Sequence, residues 1–205
     1  MAKLLFFDTE HRYTLDGEEL PSVSEITRFI SREIYGDIGQ FNLDRAAERG
    51  TAVHKATEIL DKYGKVEITE DIEPYIKAYV AFRKEHECEW KYIERQSYEP
   101  AKRYAGTIDR LGCVDGVPTL LDIKTTRSIS KRHRTLYSVC LTLYRKMFPD
   151  EDIKQLVILQ LKKDGTYKLL KLAPMDELAE SCVIMHHALK ITPRKRKKAE
   201  EEADD

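Results

Sequence analysis

The dipeptide Asp115-Gly116 is the feature that most constrains the fold of this chain. It stands between two strand-like runs, at residues 104–114 and 117–126, and an Asp-Gly loop of two residues is the strongest short-range signal for a β-hairpin. The loop also determines the register, because the residues that flank it face each other and every further pair follows in step. Pro118 then faces Cys113 in a pair without ladder hydrogen bonds, where a proline loses no bond.

The same register places two acidic residues opposite each other. Asp109 faces Asp122 in a pair without ladder hydrogen bonds, the type in which Cα atoms are about 4.5 Å apart. Two carboxylates in this position repel each other, and a bound divalent cation, Mg²⁺ or Mn²⁺, would offset the repulsion. Lys124 lies on the same strand face as Asp122, so the hairpin predicts a hydrolytic metal site in which the lysine stabilises or positions charge.

The Asp-x-Lys pattern also has an ordinary structural interpretation. An acidic residue stands two positions before a lysine at Glu89 and Asp152 as well, and such a pair can form a salt bridge on a surface strand. Leu120 and Leu121 argue against this alternative for the hairpin, because they predict a strand that is largely buried.

Segments on both sides of the hairpin predict an α/β protein. We expect strands at 4–7 and 12–15 in a hairpin over residues 1–20, a short helix from 22 or 24 to 29, helices at 43–63 and 71–86, a strand at 91–98, a helix at 131–148, strands at 154–161 and 166–172, and a helix at 175–190. Residues 1–190 are therefore predicted to form one domain. Residues 191–205 combine a basic and an acidic run, which predicts a charged, disordered tail, although the basic run could also touch nucleic acid.

Composition narrows the class of protein. With 35 Lys+Arg against 36 Asp+Glu and 41% hydrophobic residues, the chain fits a folded protein and not a uniformly basic nucleic-acid coat. No apolar run approaches the ~18 residues of a membrane span, and the first apolar run is too short for a signal peptide, so we expect no membrane association and a cytoplasmic location. The spacing of Cys88, Cys113, Cys140 and Cys182 predicts neither a zinc site nor an iron–sulfur cluster.

The hairpin motif resembles that of a known superfamily. The segment GTID, which ends at Asp109, and the segment DIK, from Asp122 to Lys124, are similar to the signature of PD-(D/E)XK nucleases, in particular of RecB-type and phage exonucleases. That branch has a histidine on an upstream helix, and the segment RGTAVH ending at His54 matches it. It also has a glutamine and a tyrosine on the helix after the lysine strand. Tyr144 matches the tyrosine, whereas Cys140 replaces the glutamine and departs from the pattern.

The resemblance implies a restriction-endonuclease-like core, a central mixed β-sheet flanked by helices, and metal-dependent hydrolysis of DNA. His54, Asp109, Asp122 and the backbone carbonyl of Ile123 would bind Mg²⁺ or Mn²⁺, and Asp109, Asp122 and Lys124 would be catalytic. It further implies an exonuclease that acts in recombination, repair or phage replication. It allows a single-strand annealing protein or a helicase as a partner, and a homo-oligomer. Without the resemblance, a single helical histidine such as His54 is more often a core or surface residue.

Three further residues are predicted to support the site. Glu58 lies one helical turn after His54 and could orient its second nitrogen, although an exposed helix glutamate is an equally good interpretation. Glu94 precedes the hairpin, where relatives often carry a glutamate that approaches a second metal or the DNA. Tyr144 could stack or hydrogen-bond near the site, or it could be a core tyrosine.

Basic residues are concentrated just after Lys124, at the start of the helix predicted at 131–148. Phosphate groups favour cations and helix N-termini, so we expect contact with the DNA backbone that does not depend on base sequence, while a solvated loop is the alternative. The predicted DNA-contacting residues are Arg103, Arg110, Arg127, Lys131, Arg132 and Arg134.

Two other functions compete with the nuclease. The first is a nucleic-acid-binding module of the same fold, with weakened catalysis, that serves a helicase or recombinase partner, and Cys140 favours it. The second is a metal-binding domain unrelated to nucleic acid, against which the basic cluster after Lys124 argues. Because both carboxylates and the lysine are present, the sequence favours the nuclease.

Overall fold

The computed structural model describes residues 2–7, 10–36 and 39–189. The end of the predicted domain and the tail predicted at 191–205 lie outside these residues. In chain order the elements are β1 Leu4–Phe7, β2 Arg12–Leu15, β3 Glu18–Leu20, α1 Val23–Ile26, α2 Arg28–Tyr35, α3 Gln40–Tyr63, α4 Glu73–Glu85, β4 Cys88–Glu99, β5 Tyr104–Val114, β6 Val117–Lys124, α5 Lys131–Lys146, β7 Gln155–Leu161, β8 Tyr167–Leu172 and α6 Asp176–Ala188.

A five-stranded sheet forms the centre of the fold, in the order β4-β5-β6-β7-β8. Neighbouring strands are antiparallel except β6 and β7, which are parallel. Parallel strands need a crossover connection, and α5 supplies it. The sheet is therefore mixed, as the sequence predicts.

Helices cover both faces of this sheet. Along β7, Val157 and Leu159 pack with α3 and α4, whereas Leu156 and Ile158 pack with α5 on the opposite face, because successive strand residues alternate between the faces. Helices α1 and α6 pack against α5 in a further apolar cluster. This arrangement confirms the predicted α/β class and is consistent with a restriction-endonuclease-like core.

The first part of the chain differs from the prediction in two respects. Strands β1, β2 and β3 form a three-stranded sheet rather than a hairpin, because the Asp16-Gly17 turn joins β2 to a third strand. The short helix expected to end at residue 29 is two helices, of which α2 continues to Tyr35. Ile30 and Ile34 of α2 pack against the core on the α5 side, a spacing of four residues that is typical of a helix.

The described residues contain no helix that is long and apolar enough to cross a membrane.

Candidate metal centre

The predicted hairpin register is correct for five pairs, from Val114–Val117 to Arg110–Leu121. The ladder then ends, one pair before the predicted Asp109–Asp122 pair. The cause is the carboxylate of Asp109, whose Oδ2 accepts the backbone N–H of Ile123 at 2.6 Å. A continued ladder would direct that N–H to a backbone carbonyl of β5 instead. The two aspartates are thus not a ladder pair, and the ladder ends at the level where the metal site was predicted.

The pairing between β4 and β5 is also interrupted at this level of the sheet. Ile93 pairs with Arg110 and Arg95 pairs with Ile108, but the intervening Glu94 and Asp109 are not paired. Glu94 has a φ of 47°, in the left-handed region. For a residue with a side chain such a conformation costs on the order of 1–3 kcal/mol, and it is concentrated at functional sites.

The interruption changes which side chains share a face. Ile108 and Leu111 pack in the same apolar cluster, although residues three apart on a regular strand face opposite sides. The two residues between them, Asp109 and Arg110, both contact side chains of α3. The irregular stretch of β5 therefore directs a carboxylate and a guanidinium toward the same helix.

His54 of α3 meets two carboxylates at this interruption. Its Nδ1 lies 3.4 Å from Asp109 Oδ1 and 3.5 Å from Glu94 Oε1, and its Nε2 donates to the backbone carbonyl of Ile123 at 3.1 Å. One possible ligand atom from each of the three side chains lies within 4.8 Å of the other two. Among the described residues this is the one group of three or more His, Cys, Asp or Glu side chains that could hold a metal ion.

Asp122 and Lys124 lie beside this group and face each other. Lys124 Nζ is 2.6 Å from Asp122 Oδ2 and 5.6 Å from the centre of the Tyr137 ring, so the two residues share a strand face as the sequence predicts. Asp122 Oδ2 is buried, yet it has no hydrogen bond of good geometry within the described part of the chain. The ammonium group of Lys124 therefore balances the charge of this oxygen through an ion pair.

The charges of the group perturb its pKa values. Burial would lower the pKa of His54, but Asp109 and Glu94 outweigh that effect and raise it to about 10. Burial would raise the pKa of Asp109, but His54 and Lys124 lower it to about 2. For Asp122 burial prevails over Lys124 and raises the pKa to about 6. In the protein without metal, the protonated His54 and Lys124 thus supply the positive charge that balances these carboxylates, and His54 must release its proton before its Nδ1 can coordinate a cation.

The donor set fits a divalent cation. It offers carboxylate oxygen atoms from Glu94 and Asp109 and one imidazole nitrogen from His54, while the Asp122 carboxylate and the Ile123 carbonyl lie beside these three side chains. A set dominated by carboxylate and carbonyl oxygen suits Mg²⁺ or Mn²⁺. Glu94, which the sequence placed in a supporting role, lies within the group itself.

Glu58 does not orient His54, which corrects the expectation for this residue. Its carboxylate binds Lys55 at 2.9 Å and Lys62 at 2.6 Å, both on the same helix. Lysines three residues before and four residues after a glutamate form such pairs readily, and this spacing is visible in the sequence. The position beside His54 Nδ1 is taken instead by Asp109 and Glu94.

Arg110 is not available for DNA, which corrects a second expectation. Its side chain is fully buried, and its Nε donates to Asp61 Oδ2 at 2.7 Å. The reason is its place in the sheet, because Arg110 pairs with Leu121 and that face of the sheet packs against α3 and α4. Its acceptors Asp61 and Thr57 were not predicted from the sequence. They follow His54 by seven and three residues, which is the spacing of one helical face.

The other predicted basic residues lie on the surface. Four of them are exposed around the start of α5, namely Arg127, Lys131, Arg132 and Arg134. Within the described residues none of these four is paired with a carboxylate. Arg103 is exposed at the turn between β4 and β5, where it pairs with Glu18.

Tyr144 packs against the first residue of the GTID segment. A Cβ on Gly106 would lie 2.6 Å from Tyr144 Cε1, so the glycine allows α5 to approach the sheet beside the site. Cys140, one turn earlier on α5, directs its thiol toward Thr27 Oγ1 at 3.7 Å.

Comparison with known proteins gives structural likenesses alone. No protein-family model and no curated protein sequence matches the chain. Among solved structures, SSO0001 aligns over 83% of this chain and 76% of its own, with 16% identity and a TM-score of 0.40. An alkaline exonuclease, LHK-Exo from Laribacter hongkongensis, aligns over 82% of this chain and 84% of its own, with 12% identity and a TM-score of 0.39.

Proposed function

We propose that this chain is a metal-dependent nuclease that hydrolyses phosphodiester bonds in DNA. The observation that carries the proposal is the group of His54, Glu94 and Asp109, whose possible ligand atoms lie within 4.8 Å of one another. The ion pair of Asp122 and Lys124 lies beside it. An acidic metal site with an adjacent ammonium group is an arrangement that suits phosphodiester hydrolysis.

The cation would be held by five groups, the side chains of His54, Glu94, Asp109 and Asp122 and the carbonyl of Ile123. When bound, a divalent cation supplies Lewis acidity toward a phosphoryl oxygen and makes a coordinated water more acidic. These residues would hold it at the level where the β5–β6 ladder ends.

Lys124 is suited to stabilise negative charge. Burial alone would lower its pKa, but Asp122 and Asp109 raise it well above the ordinary value, so the ammonium group stays protonated. A protonated lysine cannot accept a proton from water, and it can stabilise the charge that develops on the phosphoryl oxygens. The ring of Tyr137 and the Asp122 carboxylate hold this ammonium in position.

The DNA backbone would lie across the exposed basic residues at the start of α5. Arg127, Lys131, Arg132 and Arg134 offer cationic groups without carboxylate partners in the described part of the chain. Exonuclease action in recombination, repair or phage replication is the specific form that the motif resemblance favours. A cytoplasmic location, a single-strand annealing or helicase partner, and a homo-oligomer remain predictions.

The test is degradation of end-labelled linear duplex DNA beside a closed circle, with Mg²⁺ or Mn²⁺ and with a chelator. The chain offers a matched control, because the tripeptide Asp-Ile-Lys recurs at Asp152, where Asp152 Oδ1 also lies 2.6 Å from Lys154 Nζ but on the exposed surface. We expect Asp122→Ala to abolish cleavage and Asp152→Ala to retain it.

Each outcome has a separate meaning. Loss of the linear DNA alone, with metal, supports an exonuclease, and loss of both DNAs supports an endonuclease. Binding of DNA without cleavage would favour the binding module with weakened catalysis. Equal cleavage by wild type and Asp122→Ala would contradict the proposed site.

A further inference from the structure

We infer that Arg110 is a positioning residue that holds the ligands of the candidate metal centre in place before a cation binds. The inference rests on the proposed function, because it concerns the same group of residues. Arg110 follows Asp109 directly on β5, and its side chain is 0% exposed. A buried guanidinium must be paired on every side, since an unpaired buried charge is very costly.

Each nitrogen of the guanidinium has a partner. Nε donates to Asp61 Oδ2 at 2.7 Å, and Nη2 donates to Thr57 Oγ1 at 3.1 Å. Nη1 donates to the backbone carbonyl of Asp109 at 2.7 Å and to Glu94 Oε1 at 3.2 Å. Two of these acceptors belong to the residues that form the candidate metal centre.

The contacts join three of the four elements that carry the proposed ligands. Helix α3 carries His54 and Thr57, β4 carries Glu94, and β5 carries Asp109. The hydroxyl of Thr57 accepts from Arg110 and donates to the backbone carbonyl of His54 at 3.0 Å. Arg110 therefore reaches Glu94 through its side chain, Asp109 through its backbone, and His54 through one intervening hydroxyl.

Asp61 holds the guanidinium on the side away from the ligands. Its buried carboxylate accepts from Arg110 and from the hydroxyl of Tyr79 on α4. Arg110 thus stays in place while it contributes a fixed positive charge beside Glu94 and Asp109, whose carboxylates would otherwise repel each other. The planar fork of an arginine serves several acceptors at fixed angles, which a lysine cannot do.

A purely structural role would not need these particular partners. Buried ion pairs can often be replaced by apolar side chains of similar volume without loss of stability. What such a replacement would lose here is the contact with Glu94 and with the backbone of Asp109. Cation affinity, and not stability alone, is therefore the quantity that distinguishes the two roles.

The experiment compares Thr57→Val with Thr57→Ser and adds Arg110→Lys, all in the whole chain. Thr57→Val keeps the shape of the side chain and loses the hydroxyl, whereas Thr57→Ser keeps the hydroxyl and loses a methyl group. Arg110→Lys keeps the charge and loses the fork. Mn²⁺ affinity is measured by electron paramagnetic resonance of the free ion, and thermal denaturation is followed without metal.

We expect Mn²⁺ to bind about 10-fold more weakly to Thr57→Val and to Arg110→Lys, a loss typical of residues that support metal ligands. We expect Thr57→Ser to bind Mn²⁺ within about twofold of wild type. Wild-type affinity in Thr57→Val would overturn the positioning role and leave the metal centre intact. Equal weakening in Thr57→Val and Thr57→Ser would also overturn it, because the loss would then follow packing. The comparison of Thr57→Val with Thr57→Ser tests the positioning role even if Arg110→Lys does not fold. Absence of Mn²⁺ binding to wild type would overturn the proposed function itself.

Discussion

Gly106→Ala tests the approach of α5 to the sheet beside the candidate site. The added Cβ would lie 2.6 Å from Tyr144 Cε1 and 3.3 Å from Met147 Cε, whereas carbon atoms in good contact are about 3.5–4.0 Å apart. The overlap with Tyr144 is thus on the order of 1 Å. Because Tyr144 and Met147 both pack in the apolar cluster of α1, α5 and α6, neither side chain can move without disturbing that cluster.

The magnitude follows from two opposing effects. Forcing an additional carbon into a packed core costs about 1–3 kcal/mol. Gly106 does not have a positive φ, so alanine fits its backbone and would by itself stabilise the protein by about 0.4–1 kcal/mol through the unfolded chain. The net loss is about 1–2 kcal/mol, which lowers the Tm of a chain of this size by roughly 2–8 °C.

The assay is thermal and urea denaturation of Gly106→Ala, alone and combined with Tyr144→Leu. If the overlap with the Tyr144 ring causes the loss, the shorter leucine removes it, and Gly106→Ala becomes neutral or stabilising in that background. A Gly106→Ala protein as stable as wild type would refute the reasoning. An equal loss in both backgrounds would show that Tyr144 is not the obstacle.

Three further predictions follow from the site and its surroundings. Lys124→Ala should keep Mn²⁺ binding within about threefold yet remove most DNA cleavage, since the ammonium lies beside the ligands and is not one of them; unchanged cleavage would refute its role. Arg134→Ala should weaken DNA binding and reduce the slope of log K against log salt by about 1, whereas Lys168→Ala on the edge strand β8 should change neither. Ser130→Ala removes the hydroxyl that caps α5 and should cost about 1 kcal/mol, measured by urea denaturation against Ser181→Ala on the exposed face of α6.

The hairpin shows how far local sequence determines structure. Asp115 and Gly116 both have positive φ, at 50° and 74°, as a two-residue hairpin loop requires. The register of five pairs follows from that loop, and so does the shared face of Asp122 and Lys124. The prediction fails at the next pair, because the carboxylate of Asp109 replaces a backbone acceptor and ends the ladder.

Arg110 and Glu94 show what strand periodicity cannot predict. Arg110 was expected to contact the DNA backbone because it is next to Asp109, and Glu94 was expected to support the site because relatives often carry a glutamate there. The structure instead places Glu94 beside His54 and buries Arg110 against Thr57 and Asp61, on the face of the sheet that packs against α3. Nothing local in the sequence indicates these contacts, since they depend on α3 packing against the sheet.

The sequence by itself determined the hairpin, its register near the loop, the Asp122–Lys124 pair and the amphipathic helices, because turn conformation and side-chain periodicity depend on neighbours along the chain. The tertiary structure alone decided that Glu94 and Asp109 share His54 and that Arg110 is buried. These contacts join residues far apart in the chain. Their formation depends on which charged groups can be buried together with all of their hydrogen bonds satisfied, and only the assembled fold provides that condition.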